Sequence, residues 1–211
     1  MTQNRIRNAL MDGAVRLAAK EGIEKLTTRN IAAECDLHDA YIYRYFIDKD
    51  DLISQAFLRE DRELNRRIAE GIANADMSSL TLEKSLRIVL MPIWEYLVAN
   101  EDVCKFYVRY YYSIYFKKFT LKEFKTGNSR FKEAFDKMFP SNMDTEIVLL
   151  YAMDTILSMA MKVVCGEINK TSDIEERVFK LIYSIVKTFI ETDDNMLNQD
   201  MWEIDNYDRD F

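Results

Sequence analysis

Apolar residues recur at intervals of three and four along most of the chain, the spacing that places side chains on one face of an α-helix. This pattern predicts a first helix over residues 4–21, and Gly22 follows where a left-handed residue commonly ends a helix. A short second helix is expected over residues 27–35, with Thr27 or Thr28 as its N-cap.

A third short helix is predicted over residues 39–46, where Ile42 and Phe46 lie four residues apart and would both face inwards. Asp36 stands in the preceding turn and is one of the few non-glycine residue types that tolerate a positive φ. Two short helices joined by a tight turn and resting on a first helix form a helix-turn-helix, whose second helix enters the major groove of DNA.

A long fourth helix is expected after Asp48, a good N-cap residue. Its apolar stripe comprises Leu52, Ala56, Phe57, Leu64, Ile68 and Ile72. The rest of the chain repeats the helical pattern over residues 80–99, 101–117, 144–166 and 173–192, with a polar stretch at 119–139. Pro92 should kink or divide the first of these segments, because it lacks a backbone N–H.

Composition supports an all-α fold. Glycine and proline are scarce, with 5 and 2 among 211 residues, whereas all-β proteins use both in their turns. The three widely spread cysteines are typical of thiols in a reducing compartment. No apolar run reaches the roughly eighteen residues of a membrane span, and the N-terminal residues lack a signal-peptide core. A cytoplasmic protein is therefore expected.

The net charge of −7 argues against nucleic acid as a partner if it is considered alone. The acidic residues are concentrated towards the C-terminus, however. Residues 1–47 are nearly neutral, and residues 194–211 form an acidic tail. This distribution permits DNA binding by the N-terminal part without demonstrating it.

Aromatic and basic side chains crowd the third predicted helix and the residues just after it. Tyr43 and Tyr45 could donate to phosphates, Tyr41 with Arg44 could face base edges, and Lys49 could add a cationic phosphate contact. The alternative is that these aromatic side chains belong to the protein core.

Over residues 6–57 the sequence resembles the DNA-binding domain of the TetR/AcrR family of transcriptional regulators. The segment that carries the resemblance is "LTTRNIAAECDLHDAYIYRYFIDKDDL". The resemblance implies phosphate contacts by Thr28, Tyr43, Tyr45 and Lys49. It also implies that Arg29, Asp39, Ala40, Tyr41 and Arg44 face or approach bases, with His38 at the position where family members often have serine or glutamate.

The chain departs from the family pattern at two acidic residues. Asp36 replaces the usual turn glycine and brings a negative charge close to DNA. Asp39 starts the recognition helix, where a carboxylate can accept from cytosine N4 or can weaken binding to DNA as a whole.

The resemblance also implies a homodimer in which the last two long helices of each subunit form a four-helix interface. The helix over 144–166 is apolar around most of its circumference, more than the core of one subunit needs. The interface candidates are Leu150, Met153, Leu157, Met161, Phe179, Ile182 and Val186. The alternative is a central buried helix of a monomer.

An aromatic stretch over residues 106–119 predicts the wall of a ligand pocket, because such pockets are largely apolar and aromatic. Arg109 could pair there with an anionic ligand. The candidate ligand-binding residues are Met91, Trp94, Tyr107, Arg109, Tyr110, Tyr111 and Tyr115. The alternative is that this aromatic stripe is ordinary core.

The sequence contains no motif of a metalloprotease, a P-loop or a dinucleotide-binding turn, so no enzymatic activity and no cofactor are expected. Cys35 and His38 have a spacing that suits a metal but lack a second pair of ligands, and we expect no metal site.

Together these features predict three regions. Residues 1–50 form a helix-turn-helix DNA-binding domain, residues 51–193 a helical regulatory and dimerisation domain, and residues 194–211 an acidic tail. The expected function is that of a dimeric DNA-binding regulator, a repressor released from its operator by a small, partly apolar effector. The alternative is a helix-turn-helix scaffold that acts through protein–protein interaction without sequence-specific DNA binding.

Overall fold

The computed structural model describes residues 2–139 and 145–207, and all regular structure in these residues is helical. The α-helices are α1 (Thr2–Glu21), α2 (Thr28–Ala33), α3 (Ile42–Tyr45), α4 (Lys49–Ala73), α5 (Leu82–Ala99), α6 (Glu101–Tyr111), α7 (Leu121–Gly127), α8 (Ser129–Asp136), α9 (Thr145–Val164) and α10 (Ile174–Tyr207). Short 3₁₀ turns span Ile23–Lys25, Asp39–Tyr41 and Met77–Ser79, and a π-helix spans Phe116–Thr120.

The predicted helix boundaries in the N-terminal part are confirmed by their caps. Gly22 has a φ of 97° and follows the end of α1 directly. The Thr27 side chain accepts from the backbone N–H of Asn30, whose own side chain accepts from the Thr27 N–H, forming a capping box. Asp48 accepts from the N–H of Asp51 in the same way at the start of α4. Caps of this kind each stabilise a helix by about 1 kcal/mol.

Helix α4 joins the N-terminal three-helix head to the larger helical body. It packs against α1 on the head side and against α5 on the body side. Helix α6 also reaches both parts, since it lies against α1 and α9, while α10 covers α5 and α9. One continuous apolar core runs through head and body, and includes Leu10, Ile42, Phe57, Leu90, Tyr107 and Ile156.

One predicted helix differs from that observed. The helix expected over 101–117 is interrupted after Tyr111, and helical conformation resumes at Ile114 and continues as the π-helix from Phe116. The Ser113 hydroxyl donates to the carbonyl of Tyr110 and accepts from the N–H of Phe116, so it satisfies backbone groups that a continuous helix would have paired. Pro92, by contrast, does not divide α5.

Helix α4 approaches α5 closely one turn before Pro92. Proline cannot donate to the carbonyl of the residue four positions earlier, which is Ile88. Gly71 of α4 packs closely against that turn, where an added Cβ would lie 3.2 Å from Cγ2 and 3.4 Å from the carbonyl oxygen of Ile88. The missing side chain at Gly71 therefore permits the close approach of α4 and α5.

Helix α10 runs to Tyr207, so the region predicted as a tail from residue 194 begins inside this helix. The side chains from residue 192 onwards lie outside those that the structure describes.

Candidate functional site

The turn between α2 and α3 has the backbone conformation that the sequence predicted. Asp36 has a φ of 54°, in the left-handed region that glycine occupies most easily. The Leu37 N–H donates to the Ala32 carbonyl across this turn, and Ala32 is buried. The turn therefore directs the chain from α2 into the recognition helix.

Ile42 and Phe46 pack the recognition helix against the rest of the head, as the sequence predicted. Ile42 and Phe46 are both buried, and the Arg7 guanidinium of α1 lies over the Phe46 ring, 5.1 Å from its centroid. Tyr43 points outwards with 62% of its surface exposed. The core explanation for the aromatic cluster thus fails for Tyr43, while Tyr41 and Tyr45 are half-buried against the core.

Each of the ten residues predicted to contact DNA is at least partly exposed. Arg29, His38, Ala40, Tyr43 and Arg44 are exposed, and Thr28, Asp39, Tyr41, Tyr45 and Lys49 are half-buried. The Arg44 guanidinium lies 5.5 Å from the centroid of the Tyr41 ring, which places these two side chains together on the helix surface.

The start of the recognition helix has two competing contacts at one histidine nitrogen. Nδ1 of His38 lies 3.3 Å from the backbone nitrogen of Ala40 and 2.8 Å from a carboxylate oxygen of Asp39. One nitrogen cannot accept from the amide and donate to the carboxylate at once. The two contacts therefore belong to alternative proton positions, with the unprotonated Nδ1 capping the turn.

Lys49 begins α4 at the edge of the head. Its ammonium group lies 3.6 Å from the carboxylate of Asp50 and 5.9 Å from the centroid of the Tyr115 ring. Tyr115 was predicted to line the ligand pocket, but the structure places it at this junction of head and body.

A cavity of about 610 Å³, partly open to solvent, lies among the helices of the body, within the size range of small-molecule sites. Its apolar wall includes Leu64, Ile93, Tyr107, Tyr111, Phe124 and Phe131. Its polar and charged groups include Asp61, Lys125, Asn128, Lys132, Glu133 and Glu146. Helices α4, α5, α6, α7, α8 and α9 all contribute to this lining.

Asp61 is the most deeply buried of the charged groups in the cavity wall, with 4% of its surface exposed. Its carboxylate accepts from the Tyr107 hydroxyl at 2.9 Å, the Asn128 amide at 2.8 Å and the Asn65 amide at 3.2 Å. Burial raises the pKa of Asp61 to about 6, and the hydrogen bonds from Asn128 and Tyr107 oppose that rise. The group is thus a buried carboxylate held by neutral donors.

Of the seven predicted ligand-binding residues, only Tyr107 and Tyr111 line this cavity. Met91, Trp94 and Tyr110 are buried in the core instead, and the Tyr110 hydroxyl is bonded to that of Thr120 at 2.7 Å. The core explanation is therefore right for these three, because a helix packed on several sides turns most of its aromatic side chains towards its neighbours.

Arg109 has a different role from the predicted ligand contact. Its guanidinium donates to the carbonyls of Ala18 and Ala19 at 2.8 and 2.7 Å, at the C-terminus of α1. These carbonyls carry the negative end of the helix dipole, so a cation there is favourable. Two residues away on the same helix, Tyr107 faces the cavity.

The predicted dimer residues also need correction. Leu157, Phe179, Ile182 and Val186 are buried within the subunit, and Met153 and Met161 are half-buried. Only Leu150 is exposed. Among the side chains that the structure describes, the large apolar ones that α9 and α10 leave exposed are Ile147, Leu150, Tyr151, Leu181, Ile185 and Phe189. The predicted helices do carry exposed apolar side chains, but most of the seven chosen residues are buried or half-buried within the subunit.

Helix α9 is long and apolar enough to cross a membrane by length and composition, with a mean hydropathy of 1.8. One such helix is weak evidence for a membrane protein, and the exposed side chains on α9 are those of the apolar face just described. Among the described residues, no group of three or more His, Cys, Asp or Glu side chains could hold a metal ion.

The fold and the head define an all-helical protein with an N-terminal helix-turn-helix and a cavity-containing body. Residues 10–56 match the family model of the bacterial regulatory proteins of the tetR family. A comparison with curated protein sequences found no significant match.

Solved structures of TetR-family transcription regulators share the fold over most of the chain. The regulator from Marinobacter aquaeolei VT8 is 15% identical, covers 87% of this chain and 97% of its own, and superposes with a TM-score of 0.73. A putative regulator from Shewanella sp. PV-4 is 17% identical, with 85% and 96% covered and a TM-score of 0.71. FadR from Bacillus subtilis, solved in complex with stearoyl-CoA, is 17% identical, with 87% and 97% covered and a TM-score of 0.64.

The resemblance inferred from the sequence is thereby confirmed: the chain has a TetR-type helix-turn-helix domain and the fold of TetR-family regulators. The matched family and these structures are transcription regulators rather than enzymes, in agreement with the expectation from the missing motifs.

Proposed function

We propose that the protein is a dimeric, ligand-responsive DNA-binding regulator whose cytoplasmic role is to repress transcription until an effector enters the 610 Å³ cavity. The observation that carries the proposal is that the cavity and the head share two helices. Asp61 on α4 and Tyr107 on α6 face the cavity, and both helices also contact α1 of the head.

The DNA contacts we propose are those of the recognition helix and its neighbours. Tyr43 and Arg44 are exposed on the outer side of α3, and Arg29 is exposed at the start of α2. Thr28, Tyr45 and Lys49 would contact phosphates at the edges, while His38, Asp39, Ala40 and Tyr41 would lie near the bases.

Dimerisation would set two such heads at the spacing of successive major grooves. The apolar face of α9 and α10, formed by Ile147, Leu150, Tyr151, Leu181, Ile185 and Phe189, would supply the interface. Large exposed apolar side chains on two helices that pack together suit a protein–protein interface. We propose three regions on this basis: a head (1–50), a regulatory and dimerisation domain (51–193) and a tail (194–211). Helix α10 continues into the tail.

The link between cavity and head would run through direct contacts. On α6, Arg109 holds the C-terminal carbonyls of α1, two residues from Tyr107. On α4, the Arg59 guanidinium pairs with Asp12 of α1 at 2.7 Å, two residues from Asp61. An effector that displaces α4 or α6 would therefore tilt α1, and with it the recognition helix.

The test is fluorescence anisotropy of labelled duplex DNA from upstream of the protein's own gene, at several salt concentrations. We expect binding whose log affinity falls with log salt at roughly −0.9 per phosphate contact. Arg44→Ala should weaken binding about tenfold or more, and Lys49→Ala should reduce the salt slope by about one.

The matched control is Lys122→Ala, which removes one exposed positive charge from α7, far along the chain from the head. It should leave DNA binding unchanged. If the chain binds its upstream DNA no better than random duplex, and if Arg44→Ala equals Lys122→Ala, the DNA-binding proposal fails. A role in protein–protein interaction would then be the alternative.

A further inference from the structure

The charge of the cavity wall bears on the kind of effector it can hold. Among the side chains that the structure describes, four acidic residues and two basic residues line it: Asp61, Glu133, Asp136, Glu146, Lys125 and Lys132. The Lys132 ammonium is already paired with both carboxylate oxygens of Asp136, at 2.9 and 2.8 Å. Outside this pair, the described lining has Lys125 as a basic residue and Asp61 as its buried acid.

Asp61 is the buried acidic residue of this lining. It is almost fully buried, and its three hydrogen-bond donors are neutral groups of Tyr107, Asn128 and Asn65. The positive charge of Arg62 also acts on this carboxylate, but it opposes the rise in the pKa of Asp61 less than the hydrogen bonds do, so the buried charge is only partly compensated. A partly compensated buried carboxylate is costly, and a cationic group of a ligand would relieve that cost.

Aromatic rings stand beside this carboxylate. Tyr107 and Tyr111 are stacked with an interplanar angle of 7°, and Phe124 meets Tyr111 edge-on at 6.0 Å between ring centroids. All three line the cavity. Ring faces attract organic cations and also pack against apolar groups, so they suit a ligand that has both features.

The arginine that the sequence suggested for an anionic ligand is not available. Arg109 is engaged with two carbonyls of α1 and does not line the cavity. Among the described lining side chains, Lys125 is the lysine outside the Lys132–Asp136 pair, and an anionic effector would meet it beside several carboxylates.

We propose that the cavity binds an organic cation with an aromatic or otherwise apolar body, with its charge directed at Asp61. The inference rests on the proposed function, because it assigns the ligand class of the cavity through which the regulator would respond. It sets this chain apart from the Bacillus subtilis FadR structure, which holds the anionic ligand stearoyl-CoA.

The experiment is isothermal titration calorimetry of the full chain at pH 7.5 with two probes of the same shape and opposite charge, tetraphenylphosphonium and tetraphenylborate. Stearoyl-CoA is a third probe. We expect the cation to bind at least about tenfold more tightly than either anion, since its charge is stabilised by the carboxylate and the rings. Tighter binding of either anion would overturn the proposal, as would no binding of the cation.

Variants locate the binding. Asp61→Asn should weaken binding of the cation about tenfold, and the double variant Glu133→Gln/Glu146→Gln, at two exposed positions of the lining, should weaken it about threefold. Glu123→Gln is the matched control, because it removes an exposed carboxylate from α7 outside the cavity lining and should change nothing. Circular dichroism checks that each variant is folded, and if Asp61→Asn is not, the double variant decides.

Unchanged cation affinity in folded Asp61→Asn, or in the double variant where that one decides, would also overturn the proposal. The DNA-binding measurement separates this failure from a failure of the regulator proposal. If the chain binds its DNA with the expected salt slope but stearoyl-CoA, and not the cation, releases it, the ligand class is wrong and the regulator function stands.

Discussion

The buried carboxylate of Asp61 makes a quantitative prediction about stability and pH. Burial raises its pKa in the folded protein from an ordinary 3.8 to about 6. A rise of about 2.2, at ~1.36 kcal/mol for each pKa unit, corresponds to about 3 kcal/mol. Because the folded pKa lies above the unfolded one, this stabilisation is present at low pH and is lost as the pH rises through about 6.

Between pH 7 and pH 4.5 the contribution of Asp61 to the free energy of unfolding should therefore increase by about 2 kcal/mol. Other carboxylates change the stability of the protein in the same range, so the variant Asp61→Asn is needed to isolate this group. The quantity to compare is the free energy of unfolding at pH 4.5 minus that at pH 7. This difference should be about 2 kcal/mol larger in the wild type than in Asp61→Asn.

The assay is urea unfolding followed by circular dichroism at both pH values. The protein concentration must be fixed, because a dimer's apparent stability depends on it. Glu123→Gln is the control, and its pH difference should match that of the wild type. If Asp61→Asn retains the full wild-type pH difference to within about 0.5 kcal/mol, the carboxylate does not carry the raised pKa that its burial implies.

Three further substitutions test the head, the coupling and the interface. Asp36→Gly should raise the unfolding temperature, because it relieves about 1 kcal/mol of left-handed backbone strain. It should also increase DNA affinity in the anisotropy assay, because a negative charge near the phosphates is removed. A loss of DNA binding would show that the carboxylate is needed. Arg109→Ala should destabilise the protein by about 2–3 kcal/mol in urea unfolding, since two hydrogen bonds to α1 carbonyls are lost, and an unchanged stability would contradict that anchoring role. Ile185→Glu should convert the dimer to a monomer in size-exclusion chromatography with light scattering. Ile114→Glu is the control, because it lies at an exposed apolar position outside α9 and α10, and it should leave the dimer intact. Equal behaviour of the two variants would refute the proposed interface.

The sequence was most informative where local rules decide the structure. The Thr27 and Asp48 caps, the left-handed Asp36 and the inward-facing pair of Ile42 and Phe46 all depend on residues within a few positions of each other. Such short-range interactions need no knowledge of the rest of the fold, and they are the features that specify the helix-turn-helix.

Predictions that depend on distant partners were less successful. Arg109 was assigned to a ligand because its actual acceptors, the carbonyls of Ala18 and Ala19, lie about ninety residues away in the chain. The dimer residues failed for a related reason. A helix that is apolar on several sides, such as α9, does not reveal from periodicity which side faces its own core and which faces a partner.

Hydrophobic periodicity does reveal one residue of the cavity, Asp61. Asp61 lies four residues after Phe57 and three before Leu64, on the buried stripe of α4 where an apolar residue would be expected. A carboxylate at such a position is destabilising unless its surroundings compensate it. Here the surroundings are mainly neutral donors and a cavity, and the charge of Arg62 has a smaller effect. The same feature that lowers the stability of the empty protein at neutral pH would therefore favour the binding of a cation. Stability and ligand response should then be linked through one side chain, with a bound cation recovering part of the free energy that the buried charge costs.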